Sequence, residues 1–384
     1  MQSKLLFVAN HMGQSIWLDY IQRELLTSGE FQRLIDEDGV SGVTSNPAIF
    51  EKAIVDHHDY DATIQAAYDM DAQTLYEQLA IEDLQQAADQ LRPVYEASHG
   101  RDGFVSLEVS PHLAYDTEAT VSEAQRLWTE LDRPNSLIKV PSTLAGIAAI
   151  QQLISEGINV NATLLFSVQR YQQVAQAYLN GLEMRAKHGE SLANVASVAS
   201  FFLSRIDNLV DDKLDAINNS GADSQAQNLR GQTAIASARI AYQQYKQLFS
   251  GDRWQQLVQQ GARPQRLLWA STSTKDPAYS DIKYVEALIG PDTINTLPVD
   301  TLNAYRDHGQ PMQRLETDID AAYTTLAGLE VSGIDLASLT EQLEHEGVQK
   351  FIVAYDKVLR NVLQHRKPSN DRCRSPDWWL TGGQ

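Results

Sequence analysis

The run "SLIKVPS" (residues 136–142) sets a charged residue inside an apolar segment: Lys139 lies between Ile138 and Val140, with Leu137 just before. Burying an ammonium is costly, and two arrangements meet that cost. The stem can cross apolar surface while its head reaches water. Alternatively the amine is desolvated and acts as a nucleophile that forms Schiff bases with carbonyl substrates. Other apolar runs carry the groups such a nucleophile needs. Asp19 lies in "IWLDYI" (16–21), Glu108 in "FVSLEVS" (104–110), and Asn161 and Thr163 in "NVNATLLFS" (159–167). Thr44 and Asn46 lie in "VTSNP". Attack of the amine on a ketone gives an iminium, an electron sink beside which a carbon–carbon bond can break. One carboxylate then takes the hydroxyl proton that drives cleavage, and a second shuttles protons for carbinolamine formation and loss. The asparagines suit neutral sugar hydroxyls.

These groups meet only if the chain gathers the ends of several strands. With the runs above, "GVSGVTS" (39–45), "VASVASFF" (195–202), "RLLWAST" (266–272) and "TINTLP" (293–298) make eight β-rich segments. Helical patterns at 118–131, 144–156, 169–181 and 231–248 lie between them. Strands alternating with helices predict parallel βαβ units, and eight of them predict an α/β fold, a (β/α)8 TIM barrel. Side chains alternate faces along a strand, so Leu137 and Lys139 oppose Ile138 and Val140. The same alternation sets Asp19 with Trp17, Glu108 with Ser106, and Thr163 with Asn161. The polar set should therefore point inward near the C-terminal strand ends, where catalytic groups of this fold sit. There Lys139 and the two acids would neutralise one another.

Residues 56–100 have room for two helices and 204–262 for two or three. The barrel, with an N-terminal helix and inserted helices, is expected to take residues 1–310. A C-terminal extension, 311–384, is expected to pack on the outside of the barrel, with helices near 312–329 and 337–365 and an irregular tail from about 367.

The whole-chain numbers narrow the partners. The chain has 384 residues, of which 43% are hydrophobic and 21% charged, the profile of a globular protein. A formal net charge of −19 argues against nucleic acid and against an anionic membrane surface. A single cysteine, Cys373, excludes an intrachain disulfide framework and a cysteine-rich metal site. No signal-peptide pattern opens the sequence, so the cytoplasm is expected. The nine histidines show no metal-ligand spacing, and no G-x-G-x-x-G or Walker-type run follows a strand. Neither a metal nor another cofactor is expected.

A phosphate would fall to donors after the sixth and seventh strands: Ser200 and Arg205 in "SFFLSR", and Ser271, Ser273 and Lys275 in "WASTSTK". Alternatively Arg205 pairs with Asp207 or Asp211 along its helix, and Lys275 is a solvated loop residue.

With these motifs assembled, the sequence resembles a transaldolase. "GVTSNPAIF", "SLEVSPHLAYDTEAT", "LIKVPST", "GINVNATLLFS", "ASFFLSRID" and "LWASTSTK" occur in that family's order, across roughly residues 13 to 310. The length and the "SIWLDYI" form are similar to the long bacterial and plant subgroup. The resemblance implies a pentose phosphate pathway transferase. It would carry a dihydroxyacetone unit from sedoheptulose 7-phosphate or fructose 6-phosphate to erythrose 4-phosphate or glyceraldehyde 3-phosphate. It implies Lys139 as the Schiff-base lysine on strand four, Asp19 as the acid–base residue at the sugar C4 hydroxyl, and Glu108 with Thr163 around a proton-shuttling water. Asn46, Asn161 and Thr44 match residues around the dihydroxyacetone moiety. Ser200, Arg205 and Ser271 match phosphate ligands, and Phe202 an aromatic residue near the catalytic water. Where shorter members have a phosphate-binding arginine this chain has Ser273, which leaves that charge to Lys275. A monomer or homodimer is expected, with sugar phosphates as its only partners. The alternatives are a Schiff-base aldolase that releases free dihydroxyacetone, and a non-catalytic barrel that binds sugar phosphate.

Overall fold

The computed structural model describes residues 3–67, 69–220 and 226–365. Cys373 and the tail from about 367 lie outside them. Eight strands among these residues form a closed barrel in sequence order: β1 (Gln14–Leu18), β2 (Val40–Thr44), β3 (Phe104–Glu108), β4 (Ser136–Pro141), β5 (Val160–Leu165), β6 (Ser197–Phe202), β7 (Arg266–Ala270) and β8 (Thr293–Leu297). Each pairs in parallel with its neighbours, and β8 closes onto β1 from Gln14↔Thr293 to Leu18↔Leu297. This is the (β/α)8 barrel that the alternation of strand and helix patterns predicts. Helices follow the strands, because parallel neighbours need crossovers that cover the outer face.

The crossover helices are set by local chemistry. Asn46, Asp71, Asp116, Thr143 and Ser167 each cap a helix N-terminus by accepting backbone N–H bonds. The pattern at 144–156 coincides with the helix Leu144–Glu156. The region 56–100 holds two helices, Asp61–Ala66 and the long Ala72–Ala97.

The barrel interior is closed from below. Trp17 is fully buried and its indole occupies the space above Gly42, where a Cβ would lie 2.4 Å from the ring. Its Nε1 donates to Asp102 at 2.7 Å. Arg266, pointing inward from β7, donates to Ser15 Oγ and to the Arg101 carbonyl, both at 2.7 Å, with Asp102 3.7 Å away. This polar plug satisfies its own charges at the N-terminal face, where the fold keeps its stability rather than its chemistry.

Two further helices, Ile319–Val331 and Leu336–His365, lie where stretches near 312–329 and 337–365 are expected, the first starting seven residues later than its pattern. The second does more than pack on the outside. It crosses the C-terminal mouth of the barrel: Gly347 rests on Leu164 and Phe166 at the end of β5, and Lys357 and Asn361 bind Glu51 of the helix Pro47–Asp56, both at 3.0 Å.

Candidate active site

Strand pairing puts Lys139 level with Glu108 on one side and Asn161 on the other. Lys139 is 4% exposed; its Nζ donates to the Ser45 carbonyl at 3.1 Å and lies 3.6 Å from Glu108 Oε2. The amine therefore does not snorkel to bulk water. It faces a cavity of about 620 Å³ at the C-terminal mouth of the barrel, lined also by Asp19, Thr44, Asn46, Thr163, Arg205 and Phe351.

The acids are held toward neutrality. Burial pushes the Glu108 carboxyl up to about 7, against the opposing pull of Lys139. Asp19 is raised too, by desolvation first, and the charges of Lys139 and Arg205 and a hydrogen bond from Thr44 draw it back. Its backbone N–H donates to the Leu297 carbonyl at 2.8 Å, which fixes it just past the end of β1. Oδ1 accepts from Thr44 Oγ1 at 2.8 Å, and Thr44 in turn meets Thr296 at 2.7 Å.

Several polar atoms here lack protein partners. Both Glu108 carboxylate oxygens and Thr163 Oγ1 are buried without a hydrogen bond, as is Arg205 Nη1. Buried groups left open in this way ask for water or ligand. Asn46 spends its Oδ1 on capping the helix Pro47–Asp56, through the N–H groups of Ala48 and Ile49, while its side chain borders the cavity. Asn161 is spoken for within the wall: Nδ2 donates to Ser106 Oγ at 3.1 Å and Oδ1 accepts from Ser200 Oγ at 2.7 Å. Ser200 thus belongs to the Lys139 layer.

Arg205 pairs with neither Asp207 nor Asp211. Asp207 accepts from Ala234 N–H, Lys283 and Tyr284, and Asp211 from Gly231 N–H and Tyr279. That leaves Arg205 free to enter the cavity, its guanidinium 5.2 Å from the Phe202 ring centroid. Ser204 and Ser271 meet hydroxyl to hydroxyl at 2.8 Å, and Lys275 donates to Ser273 at 2.8 Å. All four line the same cavity.

The model of the family described as transaldolase/fructose-6-phosphate aldolase matches residues 16–362. The chain belongs to this family. It is 47% identical to transaldolase 2 of Nostoc sp. (strain PCC 7120) over 359 residues, 91% of this chain and 94% of that one. It is 46% identical to the transaldolase of Trichodesmium erythraeum over 374 residues (94% and 98%), and 46% identical to that of Thermobifida fusca over 355 residues (92% and 95%).

Within this family member, residues that the sequence patterns passed over also border the cavity: Lys52, Ser204, Thr296 and Phe351. Ser204 precedes Arg205 directly, and Thr296 shares a strand face with Ile294, so both had a local signal. Phe351 had none, because it reads as one more apolar position on an amphipathic helix. Backbone geometry marks the site as well. Leu164 (φ 61°) and Ser271 (φ 55°) are left-handed without being glycine, and both follow strand residues that face the cavity. Among the described residues no group of three His, Cys, Asp or Glu is placed to hold a metal ion, and no helix is long and apolar enough to cross a membrane.

Proposed function

We propose that this chain is a transaldolase that moves a dihydroxyacetone unit between sugar phosphates through a Schiff base on Lys139. The observation that carries the reading is an amine buried at the base of an open cavity, with two buried carboxyl groups, Asp19 and Glu108, within Coulombic reach. The Lys139 amine attacks C2 of sedoheptulose 7-phosphate or fructose 6-phosphate. Glu108 and Thr163, whose open oxygens suit a shared water, move the protons that turn carbinolamine into iminium. Asp19 takes the C4 hydroxyl proton; the C3–C4 bond breaks, its electron pair enters the iminium, and an aldehyde leaves. The enamine stays on Lys139 until an aldose phosphate arrives, and the steps reverse.

Thr44 and Asn46 are placed to hold the dihydroxyacetone hydroxyls, with Asn161 and Ser200 shaping the wall behind. The phosphate goes to Arg205, with Ser204, Ser271 and the Lys275–Ser273 pair around it, since a guanidinium whose Nη1 is buried without a protein partner matches an anionic oxygen. The enzyme would serve the pentose phosphate pathway in the cytoplasm, as a monomer or homodimer, and no step needs a cofactor. Borohydride reduction in the presence of fructose 6-phosphate, followed by peptide mass spectrometry, tests the reading. A three-carbon adduct on the peptide holding Lys139 is expected, and Lys139→Met should show neither adduct nor turnover in a folded protein. Wild-type protein that binds the sugar without forming an adduct overturns it.

A further inference from the structure

The Lys139 amine has a third neighbour besides the Ser45 carbonyl and Glu108: the ring of Phe351, whose centroid lies 5.6 Å from Nζ. Phe351 is 6% exposed and comes from the helix Leu336–His365, far from the strands that hold every other group around the amine. Its position is fixed from both sides. One turn earlier, Gly347 packs on Leu164 so closely that a Cβ would stand 3.0 Å from Leu164 Cδ2. Three residues before that, Glu344 binds Arg170 at 2.8 Å. One turn later, Tyr355 packs edge-on against Tyr76, and Asp356 meets His112 Nε2 at 2.8 Å. A ring pinned this firmly is a wall of the reaction space.

We propose that Phe351 decides the fate of the intermediate on Lys139, holding it for an aldehyde acceptor instead of losing it to water. The inference rests on the Schiff-base reading above. The competing path begins when a proton is delivered to the enamine carbon and regenerates an iminium. Water then adds to the iminium carbon, and collapse of the carbinolamine returns the amine and releases dihydroxyacetone. Phe351 acts on this path through its bulk, which denies a second water the space beside the iminium carbon. Its face lies within cation–π range of Nζ, but the iminium occurs on both paths, so the discrimination comes from the space the ring fills. The matched family is described by both outcomes, transfer and aldol cleavage, and this helix gives the present chain a means of choosing between them.

The test uses full-length protein, fructose 6-phosphate as donor and erythrose 4-phosphate as acceptor. Free dihydroxyacetone and transfer product are measured together, alongside borohydride trapping on Lys139. In Phe351→Ala the ratio of free dihydroxyacetone to transfer product is expected to rise about tenfold, with the adduct still trapped. Phe351→Leu, which keeps apolar bulk but no ring, should show a smaller rise in the same direction. If circular dichroism shows that the alanine variant is unfolded, the leucine variant decides alone. An unchanged ratio in a folded variant that still traps the adduct overturns the role of Phe351 and leaves the Schiff base standing. Absence of the adduct in the wild type overturns the underlying reading instead.

Discussion

Glu108 is a carboxyl that the fold prefers to keep protonated, and this has a measurable sign. Because burial raises its folded-state pKa to about 7, its contribution to stability is fully present below the ordinary carboxylate range and is lost as pH rises through about 7. Glu108→Gln removes that ionisation. Thermal or urea unfolding between about pH 5 and 8 should therefore show the variant gaining on the wild type as pH rises, by up to roughly 3 kcal/mol, a figure that already contains the opposing pull of Lys139. Turnover should fall by about 10² to 10⁴ in the same variant, as expected for the loss of a proton-transfer group. A constant stability difference across that range would mean that Glu108 is already ionised at low pH. Arg205 gives a second residue-scale expectation. Arg205→Ala should raise KM for fructose 6-phosphate by about ten- to a hundredfold, the worth of hydrogen bonds to a charged group, while rates with unphosphorylated fructose change little. Equal losses with both sugars would assign Arg205 to the sugar and not to the phosphate.

At the scale of elements, the interior of the barrel depends on pairs of large and absent side chains. Gly42→Ala would drive a Cβ into the Trp17 ring, and overpacking of this kind costs about 1–3 kcal/mol. A lowered urea midpoint with an unchanged slope is the expected result. The strands themselves were legible because each apolar run alternates against a polar face, and a buried parallel strand needs such a run. Their ends were less so. The run 16–21 stops as a strand at Leu18, since only the Asp19 N–H continues the pairing with β8 before the chain turns away. The helix over 169–181 runs on to Lys187, as Val168–Lys187, although Gly181 reads as a stop. A side chain at Gly181 would strike Gln151 and Ile154 of the neighbouring helix, so the glycine serves packing and not termination. The candidate site was legible where a polar residue breaks an apolar run, as Lys139, Asp19 and Glu108 do. It was hidden where an apolar residue on a helix borders the cavity, as at Phe351.

The whole molecule separates its tasks by face. Charges at the N-terminal face are satisfied among themselves, in the group of Asp102, Arg266, Ser15 and Trp17, whereas at the C-terminal face Glu108 and Arg205 keep buried polar atoms without a hydrogen-bond partner in the protein. Asp102→Ala should accordingly cost on the order of 3–5 kcal/mol, the price of stranding a buried arginine, while kcat of the folded fraction stays near the wild-type value. A fall in kcat at unchanged stability would refute that division. The cavity also draws on widely separated parts of the sequence: Asp19 enters with the first strand, and Phe351 follows 332 positions later. On a ribosome, the lysine and both acids are made well before the aromatic wall that encloses them. A partly synthesised chain would thus carry Lys139, Asp19 and Glu108 around a cavity that still lacks the Phe351 wall.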